Sequence, residues 1–210
     1  MNEPVIRSWP AAVLAAAVAG LLCGCGGDPA AEHIEQLRRE GDASGLARET
    51  ENPDAKISLM AVRAMARLGK DARPHIEKVL KDPRPEIREE AALAYSRAVK
   101  ETSAPALASV AATDRNPGVR AAAVTALGHM RAVDEIEPLL AAVEDPDPLV
   151  SRRAAEAIAR IMGRRYDFGG TPEERGAAIA QVREHWRRGA AVLRDYYHRP
   201  AAPQPAPPPQ

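Results

Sequence analysis

The chain has 210 residues, 45% of them hydrophobic and only 3% aromatic, with 29 Lys and Arg balanced by 29 Asp and Glu. Such apolar content excludes an intrinsically disordered chain, and the shortage of aromatics argues against a β-sandwich or β-barrel. Ala, the strongest helix former, leads the apolar residues, and zero net charge leaves no global basic field to draw the chain to nucleic acid.

In chain order, residues 8–27 carry no charge, and Ala11 to Leu22 is an unbroken run of small and apolar side chains behind Arg7. An apolar stretch of about 7–15 residues after a positive segment reads as a secretory signal. Its Ala content makes it a poorer membrane span than a Leu-rich stretch of about 20 residues. The run ends in Leu22-Cys23-Gly24-Cys25. This resembles the bacterial lipobox, which implies cleavage before Cys25, lipidation of Cys25 and attachment to a bacterial membrane facing the periplasm. Gly26 where sorting to the inner membrane would use Asp slightly favours the outer membrane. Two or more acyl chains make a stable anchor where one is marginal. With Cys23 leaving and Cys25 acylated, no thiol remains for a disulfide or a metal.

The predicted organisation is therefore a lipoprotein signal peptide at 1–24, a short spacer at 25–31, a helical array at 32–188, and a short helix with a Pro/Ala-rich disordered tail at 189–210. A helix is expected from Ala31 to Glu40, with Ile34 and Leu37 facing inward as a cap on the first unit of the array.

Four segments then superimpose: Asp54-Ala55-Lys56-Ile57, Arg84-Pro85-Glu86-Ile87, Asn116-Pro117-Gly118-Val119 and Asp147-Pro148-Leu149-Val150. Their aligned aliphatics lie 30, 32 and 31 residues apart. Three of the four first positions are N-cap formers, and three of the four second positions are Pro, which suits the first helical position. Four residues after each aliphatic comes Ala61, Ala91, Ala123 or Ala154; three further on comes Ala64, Ala94, Ala126 or Ala157. Met65, Tyr95, Leu127 and Ile158 come directly after. These offsets define one helix face, and two columns of Ala let neighbouring helices approach closely. A shorter apolar helix precedes each one, around Leu46, Ile76, Leu107 and Leu139. Helix pairs of about 30 residues cannot bury their apolar faces alone and must stack.

Asp114-Arg115-Asn116-Pro117-Gly118-Val119-Arg120 with the Ala columns after it resembles the bacterial HEAT repeat, in the short form also found in phycobilisome lyases. Asp82 and Arg88 match the same pattern. Ser58 and Ser151 replace the arginine in units one and four, which leaves an Asp–Arg pair there without its cation. The resemblance implies an all-α solenoid of about four units plus terminal capping helices.

Gly163 to Gly170 breaks the periodicity. Thr171-Pro172-Glu173-Glu174 restarts a helix with a capping box, and Ile179, Val182 and Trp186 share its inner face. Six of the 19 prolines fall after residue 199, a composition typical of polyproline-II-like tails.

The five histidines are scattered, with no paired metal spacing, and no phosphate loop or nucleophile elbow occurs. The expectation is therefore no enzyme, no cofactor and no metal. One constellation points to binding. Arg67, Arg97, His129 and Arg160 recur twelve residues after each second position and are expected to align along the stacked units, flanked by Arg63 and Arg153 and diluted by Glu86, Glu90 and Glu156. Such a row on a solenoid suits an extended partner, here an unidentified and acidic protein. The leading expectation is a membrane-anchored scaffold for protein–protein interaction in the cell envelope. The alternatives are a chromophore-attaching enzyme like the phycobilisome lyases, or a binder of an anionic envelope polymer.

Overall fold

The computed structural model describes residues 28–101 and 103–198. The predicted signal, the lipobox with Cys25 and the Pro-rich tail lie outside the described residues. Within them the chain is all-α. Helix α1 (Pro29–Glu40) is followed by four helix pairs: α2 (Ala43–Glu49) with α3 (Ala55–Met65), α4 (Arg73–Val79) with α5 (Pro85–Ala98), α6 (Pro105–Thr113) with α7 (Pro117–Met130), and α8 (Ile136–Ala142) with α9 (Pro148–Met162). Helix α10 (Pro172–His198) closes the array, and short 3-10 turns at Gly69–Ala72 and Val133–Glu135 lead into α4 and α8. The second helices stack in order, α3 on α5, α5 on α7 and α7 on α9.

The repeated columns form the core. All four residues of the first Ala column are fully buried, as are Met65, Tyr95, Leu127 and Ile158, and Leu46, Ile76, Leu107 and Leu139 of the first helices join them. Tyr95 fills the large position with a polar tip: its hydroxyl donates to Glu77 Oε1 at 3.2 Å, and burial pushes its pKa up to about 12. The Ala columns permit real proximity. A Cβ added to Gly128 of α7 would lie 2.8 Å from Ala157 Cα of α9, so only glycine fits where these helices cross.

Each second helix starts from the same polar device. Asn52, Asp82, Asp114 and Asp145 each accept, at 2.9 Å, the backbone N–H two residues on. Asp54, Asn116 and Asp147 then cap α3, α7 and α9 with their side chains. An arginine one turn into α5 and α7 ties each loop to the next unit. Arg88 grips Asp114 with Nε and Nη2 at 2.7 and 2.9 Å while Nη1 donates to Asp82 O at 2.8 Å. Arg120 repeats this with Asp145, at 2.8 Å through both nitrogens, and with Asp114 O at 2.9 Å. The Asp–Arg match seen in the repeat sequence is thus a bond between units.

Unit one lacks the arginine but not the bridge. Arg84, from the cap position of unit two, donates to Asn52 O at 2.9 Å, to Thr50 O at 2.6 Å and to the hydroxyl of Ser58 at 3.1 Å. Its Nε and Nη2 hold Asp82, both at 3.0 Å. A guanidinium therefore stands in the same loop-to-loop position, delivered from a different residue, and α5 has no side-chain cap in consequence. In unit four the array ends, and Ser151 closes its own loop by donating to Val143 O at 2.7 Å.

At the N-terminal end Asp28 caps α1, whose first residue is Pro29, so helix begins inside the span assigned to the spacer. Ile34 and Leu37 are buried against unit one as expected. At the other end Thr171 and Glu174 form the reciprocal capping box. Helix α10 then runs unbroken through residue 188, because Ala190, Leu193 and Tyr197 extend the apolar face of Ile179, Val182 and Trp186. Residues 189–198 are a continuation of the closing helix, where a separate short helix was expected. Trp186 is half-buried and donates to Val133 O at 3.1 Å, and the Tyr197 hydroxyl donates to Ile161 O at 2.9 Å.

The substitution at positions 58 and 84 is testable in chemical denaturation. Arg84→Ala removes a charged donor from two loop carbonyls and from Asp82, and is expected to cost about 2–3 kcal/mol. Ser58→Arg combined with Arg84→Asn restores the arrangement of units two and three and is expected to regain most of that loss. A double variant no more stable than Arg84→Ala would show that the two positions are not interchangeable.

Candidate functional site

The basic row predicted from the repeats lies near the C-terminal ends of α3, α5, α7 and α9, with Arg97, His129 and Arg160 just inside their helices and Arg67 just beyond α3. All four side chains are exposed. Arg67 and Arg97 line one recess of about 450 Å³ with Arg63, Ala66 and Glu90. Glu90 is shared there: Arg63 Nη2 lies 3.0 Å from Oε2 and Arg97 Nη1 3.2 Å from Oε1. Arg67 makes no ion pair among the described residues, so the recess keeps a net positive charge.

The row continues across the next two units. Partial desolvation lowers the pKa of His129, and the fields of Arg160, Arg97 and Arg153 lower it further. The neutral form of the ring is therefore favoured, and the ring senses cations from both neighbouring units. Arg160 reaches over the glycine where α7 and α9 cross, with Nη1 3.4 Å from the position a Cβ would take on Gly128. Close helix packing thus brings Arg160 beside His129. The expected dilution is partial. Glu90 neutralises Arg63 and Arg97 in part, and Glu156 is taken by Arg153 at 2.9 Å. Glu86 acts on Arg84 and Arg88 at the opposite end of its helix.

These features are those of a repeat array with a register-matched edge. The profile of HEAT repeats matches residues 43–127 and 104–194. The chain belongs to the HEAT-repeat family. No curated protein matches it significantly. Among solved structures, an engineered protein is 19% identical, with a TM-score of 0.45 over 79% of this chain and 84% of that one. A designed armadillo repeat protein, solved in complex with the peptide (KR)4, is 17% identical, with a TM-score of 0.46 over 86% of this chain and 92% of that one.

Elsewhere on the HEAT array, the buried charges between units are paired with one another. A recess of about 650 Å³ between α4 and α6 is lined by Leu80, Ala106 and Val110 together with Arg88 and Asp114, which satisfy one another. Arg88 holds the Asp114 carboxyl below the ordinary carboxylate range, and Arg120 does the same for Asp145. Among the described residues no group of three His, Asp or Glu side chains could hold a metal. Two of the scattered histidines have structural partners: His185 Nδ1 lies 3.1 Å from the Tyr166 hydroxyl, and His33 lies 3.4 Å from Glu49. Sequence reasoning did not single out Arg152 and Arg165, which stand beside Arg160; repeat alignment could not show them, because Arg152 aligns with Leu59, Glu89 and Ala121 and Arg165 lies in the segment that breaks the period.

Titration of His129 followed by NMR reports directly on the row. Its midpoint is expected below the ordinary histidine range, and to rise when Arg97 and Arg160 are both changed to Gln, since removing neighbouring cations favours the protonated ring. A midpoint unmoved by that double change would show that the arginines do not converge on His129.

Proposed function

We propose that this chain is a non-catalytic HEAT-repeat scaffold, attached to a bacterial membrane through lipid on Cys25, that binds an acidic protein partner along the row Arg67, Arg97, His129 and Arg160. The observation that carries the reading is the placement of the row. One position, repeated in four stacked units, presents three exposed arginines and a histidine on a single edge, and two of the arginines share a recess. Guanidinium groups form planar forks that suit carboxylates, and rigid stacked helices present them without prior ordering of the protein surface. The scarcity of exposed aromatics, which dominate tight interfaces, favours a polar, salt-sensitive association. Export is supported by the charge-free run and the lipobox resemblance. The short stretch between Cys25 and α1 would hold the array close to the bilayer, with the outer membrane slightly favoured by Gly26.

Two experiments test the two halves of this proposal. Changing Cys25 to Ser is expected to move the protein from the membrane fraction to the soluble fraction; retention in the membrane would overturn lipid anchoring. Cross-linking in intact envelopes, followed by mass spectrometry, is expected to capture a partner that Arg67→Glu with Arg97→Glu loses by about tenfold, because exposed charge contacts contribute about 0.2–1 kcal/mol each and reversal makes them repulsive. Equal capture by a variant that retains its helical signal would overturn the assignment of this edge.

A further inference from the structure

Beyond Arg160 the surface is shaped by the segment that breaks the repeat. Helix α9 ends at Gly163, whose φ of 69° lies in the left-handed region that glycine tolerates. Tyr166 then anchors the returning chain. Its hydroxyl meets His185 on α10 at 3.1 Å, and its ring lies 6.4 Å from that of Phe168. Arg164 is held over the Tyr166 ring at 5.2 Å. The next residue, Arg165, instead lines a recess of about 480 Å³ with Arg152 and Arg160, where Ala155 and Ala159 leave room between them.

These three arginines differ from most others in the chain. Arg63, Arg73, Arg84, Arg88, Arg97 and Arg120 all have carboxylate partners. Arg152, Arg160 and Arg165 form no ion pair among the described residues. The carboxylate in the recess, Glu156, is engaged by Arg153 at 2.9 Å. A guanidinium cannot shed its proton near neutral pH, so an incoming anion meets three fixed positive charges lining one recess. The Arg160 guanidinium belongs to both this recess and the basic row, so a ligand seated here lies on the same edge as His129 and Arg97.

We infer that the recess formed by Arg152, Arg160 and Arg165 is a carboxylate socket for a cluster of Asp or Glu side chains on an acidic polypeptide. This rests on the reading of the row as an acidic-partner surface, and it extends that surface past the last repeat to the segment beneath α10. The row supplies spaced single charges along the array. The socket supplies three unneutralised charges at one point and fixes where the acidic segment is gripped.

The test uses the full-length protein and a fluorescein-labelled decaglutamate peptide, followed by fluorescence anisotropy at low and moderate salt. Arg152→Gln with Arg165→Gln is expected to weaken binding about tenfold. Arg115→Gln with Arg175→Gln removes the same charge from two arginines outside the recess, one exposed and one half-buried, and is expected to change affinity less than about twofold. Amide resonances of Arg165 and Tyr166 are expected to shift on peptide addition in the wild-type protein. Equal weakening by both double variants would reduce the effect to net charge and overturn the socket. Failure of the peptide to bind would also overturn it, as would binding of tripolyphosphate that depends on Arg152 and Arg165 when peptide binding does not. If peptide binding ignores Arg152 and Arg165 while envelope capture still depends on Arg67 and Arg97, the socket fails and the row stands; if neither depends on its arginines, both readings fail.

Discussion

The guanidinium that joins one inter-helix loop to the next is the interaction on which the array's order depends. Apolar stacking alone favours contact between helix pairs but tolerates sliding, because the Ala columns offer similar small surfaces at successive turns. The loop bonds do not tolerate it. Arg88 must reach a loop carbonyl in its own unit and both oxygens of Asp114 in the next, and a shift of one helical turn would leave a buried cation facing no anion. Charge-assisted bidentate bonds are directional as well as strong, and a buried ion unpaired by misregister costs several kcal/mol. The ladder therefore contributes register, while the Ala and large-residue columns contribute the burial.

Register at the loops fixes what appears at the far ends of the same helices. The row residues lie about three turns along from the ladder, on rigid rods whose relative height is set by the bonds between Arg84, Arg88, Arg120 and their partners. Close packing at Gly128 then brings Arg160 of α9 within the field of His129 on α7. The functional edge is in this sense a consequence of the structural one: a repeat held in phase at one end presents its exposed positions in phase at the other.

Most of the architecture is legible in the sequence because it rests on local rules repeated four times. Helix starts at Ala55, Pro85, Pro117 and Pro148, the two Ala columns, the buried large column and the capping box at Thr171 all derive from spacing and residue type. The features that escape such rules involve partners distant in the chain. By sequence Arg84 is a poor cap in an otherwise regular series, and Ser58 a lost arginine; that the two deviations compensate each other requires knowing that unit two folds back over unit one. The full length of α10 is legible in the spacing of Ile179, Val182, Trp186, Ala190, Leu193 and Tyr197, which keeps the helical period throughout, but the small Ala190 and the charged residues around Leu193 mask that continuity. The basic row is visible as a column, but its junction with Arg165 depends on how the chain turns at Gly163, which has no counterpart in the repeats.

A chain with equal numbers of acidic and basic residues can still carry a basic edge, and the ladder explains how. Asp82, Asp114 and Asp145 are held in the loops between units, where each neutralises an arginine that is itself partly or wholly buried. Glu77, Glu90 and Glu156 are likewise engaged by arginines of their own or adjacent helices. Among the described arginines that form no ion pair, Arg152, Arg160 and Arg165 gather at the end of the array, where the repeat pattern stops and no further unit supplies the next aspartate. Ser151 closes the last loop without an arginine, so the terminal unit adds no further bridge, while α9 and the segment after it still carry basic residues. Electroneutrality of the whole chain and a cluster of arginines without ion pairs after the last repeat arise together, from the same pairing rule reaching its last unit.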